Sequence, residues 1–302
     1  MTVVTLISKT PSITPNHVRA MLACADLSPT NLELIDEGHA ADIHFACELT
    51  EEQGQMLEGA SWDHEFDVVI QSAADRNKRL LIADMDKTVI TVECLDELAD
   101  YAGIREEIVR ITDAAMRGEI DFADALKSRV ILLKDLPIET LEQCYQERIR
   151  LTPGARTLIH TLRRNGVLCI LISGGFAFFA SRVSKKAGFN SFYANNLEYK
   201  DARLTGEVLG NIIGAEEKYD HLNSEASALG IPLSATIAIG DGANDCSMIS
   251  AAGLGVSYHG KPKLEAIAGM RIRHNDLTAV LYALGYTRKD WDFESWNADE
   301  AV

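Results

Sequence analysis

The sequence predicts a doubly wound α/β protein with a helical insertion, preceded by a small α+β unit. Three short apolar runs, at 80–85, 168–172 and 236–239, are of the kind that forms buried parallel strands. Helical patterns at 154–164 and 216–229 precede the second and the third run. Such alternation is typical of a parallel sheet covered on both faces, whose ligands bind beyond the carboxyl ends of the strands.

The first 75 residues have a different pattern. They predict strands and helices in the order strand, helix, strand, strand, helix, strand, at about 3–7, 14–24, 32–37, 41–47, 50–57 and 66–70. Thr14 and Thr50 suit the N-cap position of the two helices, and Pro15 suits a first helical turn. This order predicts a ferredoxin-like sandwich over residues 1–75. It resembles the small ACT-like, ligand-sensing domains that precede many enzymes of amino-acid biosynthesis.

A long helical stretch interrupts the α/β region directly after its first strand. Residues 92–150 contain no convincing strand, and Pro137 begins the last of their helices. We interpret them as a cap inserted into an α/β domain that spans 78–285. Polar residues at 71–78 indicate a linker before this domain, and 286–302 are expected to form a C-terminal tail.

Composition and charge exclude several classes of protein. The formal net charge is −16, and no basic stripe is present to neutralise nucleic-acid phosphates. The longest uncharged apolar run, 167–180, is shorter than the roughly 20 residues that span a bilayer. The six cysteines form no Cys-x-x-Cys pair, so we expect free thiols in a reducing compartment. The expected setting is therefore the cytoplasm, without nucleic-acid or membrane partners.

Two carboxylates follow the first apolar run of the α/β region. Asp84 and Asp86 are two residues apart at the end of this strand, and side chains at that spacing start from the same side of a strand. Burying two carboxylates without a cation is costly. The pair therefore indicates a hard cation such as Mg²⁺, which prefers oxygen ligands.

Two further polar motifs follow the later strands. Ser173 ends the second strand and precedes two glycines, and a hydroxyl beside glycine amides forms an anion cradle. Asp241 follows the third strand, within the sequence Gly-Asp-Gly-Ala-Asn-Asp at 240–245. Its glycines suggest a dinucleotide-binding loop, but Asp245 stands where the third glycine of that fingerprint belongs. A second carboxylate for the metal is the better interpretation.

These motifs, in this order, resemble those of phosphatases of the haloacid dehalogenase superfamily, over residues 78–285. The resemblance implies that Asp84 attacks phosphorus and that Asp86 is the general acid and base. The dehalogenases of the superfamily lack the second aspartate. A carboxylate nucleophile divides hydrolysis into two easier displacements through an acyl phosphate. A neighbouring carboxyl group can protonate the leaving alkoxide and then deprotonate the attacking water.

The same resemblance assigns residues to the phosphoryl group. It implies that Ser173 and the backbone amide of Gly174 hold the phosphoryl oxygens. It also implies that Lys218, on the helix after Gly214, stabilises the nucleophile and the transferring group. Asn244 is placed with the substrate-binding residues as well.

A magnesium site is also implied by the resemblance. Its ligands would be the carboxylates of Asp84 and Asp241 and the backbone carbonyl of Asp86. Asn244 and Asp245 would hold these metal ligands in position.

Four residues of the cap resemble the phosphoserine phosphatases, a branch of this superfamily. The resemblance implies that Glu93 pairs with the substrate ammonium and that Arg129 clamps the substrate carboxylate with two hydrogen bonds. Met116 and Phe122 would form an apolar wall that screens the site from water. The implied activity is magnesium-dependent hydrolysis of O-phospho-L-serine, the last step of serine biosynthesis.

Other interpretations stay open at this stage. A related enzyme with the same core could cleave another small phosphate ester, or pass the phosphate to an acceptor such as homoserine. The chain could also be a sensor whose catalysis has decayed. For residues 1–75, serine binding, formation of a homodimer and simple packing are all compatible with the pattern.

Lys87 departs from the family pattern, in which serine is common at this position. Its side chain either points to solvent without effect or lies beside the metal carboxylates. In the second case it would weaken metal binding or alter the hinge of the cap.

Overall fold

The strands of the protein form one continuous sheet. The computed structural model describes residues 1–116 and 119–293. Its strands are β1 (Thr2–Ser8), β2 (Asn31–Asp36), β3 (Ala40–Phe45), β4 (Phe66–Ser72), β5 (Leu80–Ala83), β6 (Leu168–Phe176), β7 (Ser191–Lys200), β8 (Arg203–Leu209), β9 (Thr236–Gly240), β10 (Leu254–Tyr258) and β11 (Met270–Ile272). Their order across the sheet is β2-β3-β1-β4-β11-β10-β9-β5-β6-β7-β8.

The helices fall into three groups along the chain. The first unit contains α1 (Pro15–Cys24) and α2 (Glu51–Ser61). The insertion contains α3 (Cys94–Ala102), α4 (Arg105–Met116), α5 (Phe122–Val130) and α6 (Ile138–Arg148). The α/β region contains α7 (Ala155–Arg164), α8 (Ala177–Ala187), α9 (Ala215–Ala228), α10 (Cys246–Ala251), α11 (Pro262–Glu265) and α12 (Ala279–Ala283). Within the described ranges no helix is both long and apolar enough to cross a membrane.

The N-terminal unit has the predicted ferredoxin-like arrangement. Strand β1 lies between β3 and β4 and is antiparallel to both, and β2 pairs with the outer edge of β3. The hydroxyl of Thr14 accepts the N–H of His17 at 3.3 Å and so caps α1. At the start of α2, Thr50 and Gln53 form a reciprocal capping box.

The α/β region has the predicted parallel strands at its centre. Strand β5 pairs in parallel with β9 on one side and with β6 on the other. All four residues of β5 are buried, as expected for a continuous apolar run in a parallel sheet. This part of the fold confirms the predicted α/β class.

The hairpin of β7 and β8 was not predicted. These strands are antiparallel and are joined by Asp201 and Ala202, whose φ angles are 49° and 60°. Such left-handed pairs are typical of two-residue hairpin turns. Ala202 gives no sequence signal for this conformation, and the strands carry too many polar residues to form an apolar run.

The helical insertion enters and leaves the α/β region at one point. Ile90 and Leu151 form an isolated antiparallel bridge. Beside it, the N–H of Thr91 donates to the carbonyl of Arg150 at 3.1 Å. Helices α3 to α6 are therefore connected to the α/β region by two adjacent chain segments, as expected for a cap.

The N-terminal unit is joined firmly to the α/β region. Strand β4 pairs with β11 through Val69 and Met270. The buried carboxylate of Asp67 accepts the N–H groups of Arg273 at 2.9 Å and of Asn275 at 3.1 Å. It also accepts the side-chain amide of Asn275 at 2.8 Å. The pairing of β4 with β11 joins the two units into one sheet, and the bonds of Asp67 hold this junction in place.

The predicted linker at 71–78 connects the two units and contacts both of them. The guanidinium of Arg76 donates to the carboxylate of Asp42 at 2.5 and 2.8 Å. The ammonium of Lys78 is buried and donates to the carbonyl of Ser234 at 2.7 Å. The polar residues that suggested a linker form specific internal bonds. In the predicted C-terminal tail, residues 294–302 lie outside the described part of the chain.

Candidate active site

Three adjacent parallel strands bring the sequence motifs to one edge of the sheet. Asp84 follows β5, Ser173 lies near the end of β6, and Asp241 follows β9. Because β5 pairs with both other strands in parallel, the carboxyl ends of all three meet. The N–H of Asp84 donates to the carbonyl of Ile239 at 2.9 Å, which continues the pairing with β9.

Asp86 lies in a tight turn, Met85–Val89, between the first strand of the α/β region and the cap. It is buried, and its Oδ1 accepts the N–H of Cys94 at 3.4 Å. Burial, and then the charge of the Glu93 carboxylate, raise the pKa of Asp86 to about 7. A carboxyl group with this pKa can both donate and accept a proton near neutrality.

The serine and glycines of the second motif form a small cradle. The buried Oγ of Ser173 accepts the N–H of Gly175 at 2.9 Å, which orients the hydroxyl and leaves its proton available to a ligand. A β-carbon on Gly175 would lie 2.9 Å from Oδ2 of Asp86 and 3.1 Å from Oγ of Ser173. Only glycine therefore lets the cradle and the Asp86 carboxyl group approach each other.

Asn195 supports this cradle and was missed by the sequence analysis. Its buried side chain donates from Nδ2 to the carbonyl of Gly174 at 2.9 Å. Its Oδ1 accepts the N–H of Ile213 at 2.8 Å. The bond from Asn195 thus fixes the position of the Gly174 carbonyl. A single asparagine in the unpredicted strand β7 gives no signal of this role.

Lys218 is a fully buried cation at the centre of the site. Its side chain is 0% exposed, and its Nζ donates to Oδ1 of Asp84 at 2.5 Å and to Oδ1 of Asp245 at 2.7 Å. Burial alone would lower the pKa of Lys218, but the carboxylates of Asp245 and Asp84 outweigh it and raise the pKa. Lys218 is therefore an ammonium that fixes the orientation of the Asp84 carboxylate.

Asp245 holds the metal-facing loop in place. One of its carboxylate oxygens accepts the ammonium of Lys218. The other accepts the N–H of Asp241 at 3.2 Å and of Gly242 at 3.0 Å. Since both oxygens already have donors, this carboxylate suits a positioning role behind the metal ligands.

Three carboxylates converge where the sequence predicts a metal. One oxygen of each of Asp84, Asp241 and Asp245 lies within 4.8 Å of the others. Burial, and then the charge of Asp245, raise the pKa of Asp241 to about 6. Burial also raises the pKa of Asp84, against the opposing effect of Lys218. Three crowded carboxylates, two buried and one partly buried, fit a hard metal cation with oxygen ligands.

The cap residue Phe122 lies over the cradle. A β-carbon on Gly174 would be 3.0 Å from Cζ of Phe122, and one on Gly214 would be 3.2 Å from its Cδ1. The ring therefore covers the backbone on two sides of the site, and its role as an apolar wall stays a prediction. The side chain of Met116, the other predicted wall residue, lies outside the described part of the chain.

Arg129, on α5, and Glu93, at the start of α3, lie close enough for their charges to interact. The guanidinium of Arg129 donates from Nε to the carbonyl of Ala125 at 3.1 Å and from Nη1 to Oγ1 of Thr112 at 3.5 Å. Burial lowers the pKa of Arg129, while the carboxylates of Glu93 and Asp96 oppose this shift. Among the described residues, these bonds use two of the five N–H donors of Arg129 and leave the other three for a ligand.

Lys87 does not point freely into solvent. Its Nζ lies 2.9 Å from Oε2 of Glu93, and the two side chains are 49% and 37% exposed. The residue that departs from the family pattern thus pairs with the carboxylate that was predicted to bind the substrate ammonium.

The structure brings most of the predicted core residues to one place. Asn244 lies at the edge, where its Oδ1 would be 2.5 Å from a β-carbon on Gly242. The residues that meet at the carboxyl ends of the strands are Asp84, Asp86, Ser173, Gly174, Lys218, Asp241, Asn244 and Asp245. This arrangement of a held carboxylate, a second carboxyl group, an anion cradle and a metal-binding cluster is suited to phosphoryl transfer.

The chain belongs to the haloacid dehalogenase-like hydrolase family, whose model matches residues 81–250. It is 41% identical over 243 residues to a phosphoserine phosphatase of Streptomyces coelicolor, an alignment that covers 80% of this chain and 59% of that protein. The chain spans between 56% and 64% of the length of three phosphoserine phosphatases that it matches.

Solved structures give the same relationship. A probable phosphoserine phosphatase of Vibrio cholerae, in its unliganded form, superposes with a TM-score of 0.78 and 33% identity. That match covers 94% of this chain and 86% of the other. A phospho-aspartyl intermediate analogue of a phosphoserine phosphatase matches with a TM-score of 0.64 and 40% identity. It covers 68% of this chain and 99% of the other.

Proposed function

We propose that this protein is a magnesium-dependent phosphatase that hydrolyses O-phospho-L-serine to L-serine and phosphate, the last step of serine biosynthesis. The observation that carries the proposal is the buried Asp84 carboxylate, held by Lys218 at the same edge of the sheet as Ser173. The relatives named phosphoserine phosphatase support the choice of substrate. All six cysteines are free thiols, which supports a cytoplasmic setting for this reaction.

The first step transfers the phosphoryl group to Asp84. Its carboxylate attacks phosphorus, the bond from phosphorus to the seryl oxygen breaks, and Asp86 gives its proton to that oxygen. The raised pKa of Asp86, about 7, supports this role because the acid is substantially protonated near neutrality. L-serine and an aspartyl phosphate on Asp84 result.

The second step releases phosphate. Asp86, now a carboxylate, removes a proton from a water molecule that attacks the phosphorus of the aspartyl phosphate. The bond from phosphorus to the Asp84 oxygen breaks, and Asp84 returns to its original state. One residue is thus acid and then base, as two successive displacements at the same phosphorus require.

Charge on the phosphoryl group needs fixed partners throughout. The hydroxyl of Ser173, the amide of Gly174 and the ammonium of Lys218 supply donors in a site shielded from water. The carboxylates of Asp84 and Asp241, with the backbone carbonyl of Asp86, are the proposed ligands of Mg²⁺. When bound, the ion neutralises negative charge on these groups and on the phosphate.

The amino-acid end of the substrate is assigned to the cap. Arg129 has N–H donors that no other described residue occupies, which suit the substrate carboxylate, and Glu93 offers a carboxylate to the ammonium. Phe122, and by the family pattern Met116, shield the phosphoester. The N-terminal unit is further proposed to bind L-serine and to form a homodimer, which calorimetric titration and sedimentation would test.

The test is phosphate release from O-phospho-L-serine and from a panel of other small phosphate esters, with and without magnesium. We expect phosphoserine to be preferred and the reaction to require magnesium. Arg129→Ala should raise KM for phosphoserine, because it removes the carboxylate clamp. Arg110→Ala, an exposed arginine on α4, is the matched control. Activity only on other esters, or phosphate release only with an acceptor such as homoserine, would contradict the proposed substrate.

A further inference from the structure

We propose that Lys87 sets the substrate specificity of this site by occupying the carboxylate of Glu93. The inference rests on the proposed function, in which Glu93 receives the ammonium of phosphoserine. With Lys87 paired there, the site accepts phosphate esters of hydroxy acids that lack an amino group alongside phosphoserine. Lys87 thus relaxes the selection that Glu93 alone would impose.

The ion pair itself is direct. Nζ of Lys87 lies 2.9 Å from Oε2 of Glu93, within hydrogen-bond distance of a charged pair. Lys87 precedes the cap and Glu93 is the N-cap residue of its first helix, α3. The pair therefore spans the junction between the core motif and the cap, where the amino-acid end of the substrate is expected.

The backbone directs Lys87 to this position. Its φ is 55°, a left-handed conformation that lysine rarely adopts. The N–H of Lys87 donates to the carbonyl of Val92 at 3.2 Å, which closes the loop between Lys87 and Glu93. The turn therefore fixes the backbone from which the Lys87 side chain reaches Glu93.

A lysine side chain is an ammonium near neutrality, and that of Lys87 faces the carboxylate of Glu93. The junction between the core motif and the cap thus holds two carboxylates, Glu93 and Asp96, and two cations, Lys87 and Arg129. A substrate ammonium must share Glu93 with Lys87 or displace it, whereas a substrate without an ammonium leaves the pair intact.

Removal of the positive charge of Lys87 should change kcat/KM for the two kinds of substrate in opposite directions. With Lys87 gone, Glu93 is free to pair with the ammonium of phosphoserine. The same unpaired carboxylate repels a substrate that has only negative groups. The discrimination between the two substrates should therefore rise, and for a half-exposed ion pair the expected size is about fivefold.

The experiment compares O-phospho-L-serine with its deamino analogue, 3-phosphooxypropanoate, in the magnesium-loaded full chain. We expect Lys87→Met, which keeps the length of the side chain but removes its charge, to raise the ratio of kcat/KM for phosphoserine over the analogue about fivefold, mainly through KM. Lys87→Arg keeps the pair and should keep the wild-type ratio. Lys127→Met, on an exposed face of α5, is the control for a general change in charge.

Each other outcome rejects the inference in a recognisable way. An unchanged ratio in Lys87→Met, with phosphoserine still hydrolysed, rejects the role of Lys87 and leaves the proposed function intact. Equal losses on both substrates with a shifted magnesium requirement assign Lys87 to the metal site instead. Hydrolysis of neither substrate by the wild type rejects the proposed function as well. If Lys87→Met misfolds, Lys87→Asn, which tolerates the left-handed turn, carries the same measurement.

Discussion

Lys218 is the residue on which the charge balance of the site depends. It is fully buried between Asp84 and Asp245, so its removal leaves two buried carboxylates without their cation. We expect Lys218→Met to destabilise the metal-free protein by about 3–5 kcal/mol. Urea unfolding in the presence of a chelator measures this loss. Lys185→Met, on the exposed face of α8, should change the free energy of unfolding by less than about 0.5 kcal/mol. A similarly small change for Lys218→Met would contradict the assigned charges.

Asp86 makes the metal-free protein sensitive to pH. Its pKa rises from 3.8 to about 7 on folding, so the folded state keeps a proton that the unfolded state loses. This contribution to stability is complete below pH about 4 and is lost as the pH rises through about 7. Asp86→Asn removes the titrating group, so its melting temperature relative to wild type should increase between pH 5 and pH 8.

The measurement is a series of thermal melts at fixed ionic strength without metal. Asp100→Asn, which alters an exposed carboxylate paired with Arg105, is the control. A constant difference between Asp86→Asn and wild type at all pH values would show that Asp86 has an ordinary pKa in the folded protein.

At the scale of elements, the cap acts on the core through helix α5. This helix begins at Phe122, capped by the Asp121 side chain, and its first residue places an aromatic ring over Gly174 and Gly214. The contact shields the cradle from water, which strengthens hydrogen bonds to a bound phosphate.

We therefore expect Phe122→Ala to lower kcat/KM for phosphoserine about tenfold with little effect on stability, because the ring is 38% exposed. Steady-state kinetics and a thermal melt together check this. Val109→Ala, which shortens an exposed apolar side chain on α4, should leave both quantities unchanged. A large drop in melting temperature with unaltered kinetics would assign Phe122 to packing alone.

The central elements could be predicted from the sequence because each carries a local signal. Strands β5, β6 and β9 are short apolar runs, and the polar motifs that follow them point to one edge of a parallel sheet. The hairpin β7–β8 could not be predicted, because its strands carry too many polar residues to form an apolar run. The role of Asn195 could not be predicted either, because it depends on a bond to Gly174, which is distant in sequence.

The pairing of Lys87 with Glu93 could not be predicted from the sequence either. Six positions separate the two residues, and only the turn at Lys87 brings their side chains together. At the polar segment 71–78 the sequence predicts a linker but not its contacts, because the buried partner Asp42 is distant in sequence. Sequence patterns thus predict the type and order of the central elements. The role of each polar group depends on its partners in the folded protein.

At the scale of the whole molecule, Asp67 ties the N-terminal unit to the α/β region. Its carboxylate accepts N–H groups from Arg273, His274 and Asn275, as well as the Asn275 side chain. We expect Asp67→Ala to destabilise the protein by about 3 kcal/mol, because it leaves several buried donors without acceptors. Urea unfolding checks this, with Asp220→Ala, an exposed carboxylate on α9, as the control. Loss of less than 1 kcal/mol would mean that water replaces the carboxylate.

The continuous sheet also has a consequence for how the chain is made. Strand β4 ends at Ser72, but its neighbour β11 begins only at Met270. At roughly 5–20 residues per second, a ribosome takes on the order of 10–40 s to synthesise the intervening segment. During this interval the first four strands have an unpaired edge at β4, which is open to pairing with another nascent chain. Strand β11, the last of the described strands to emerge from the ribosome, is therefore the one that pairs with this open edge.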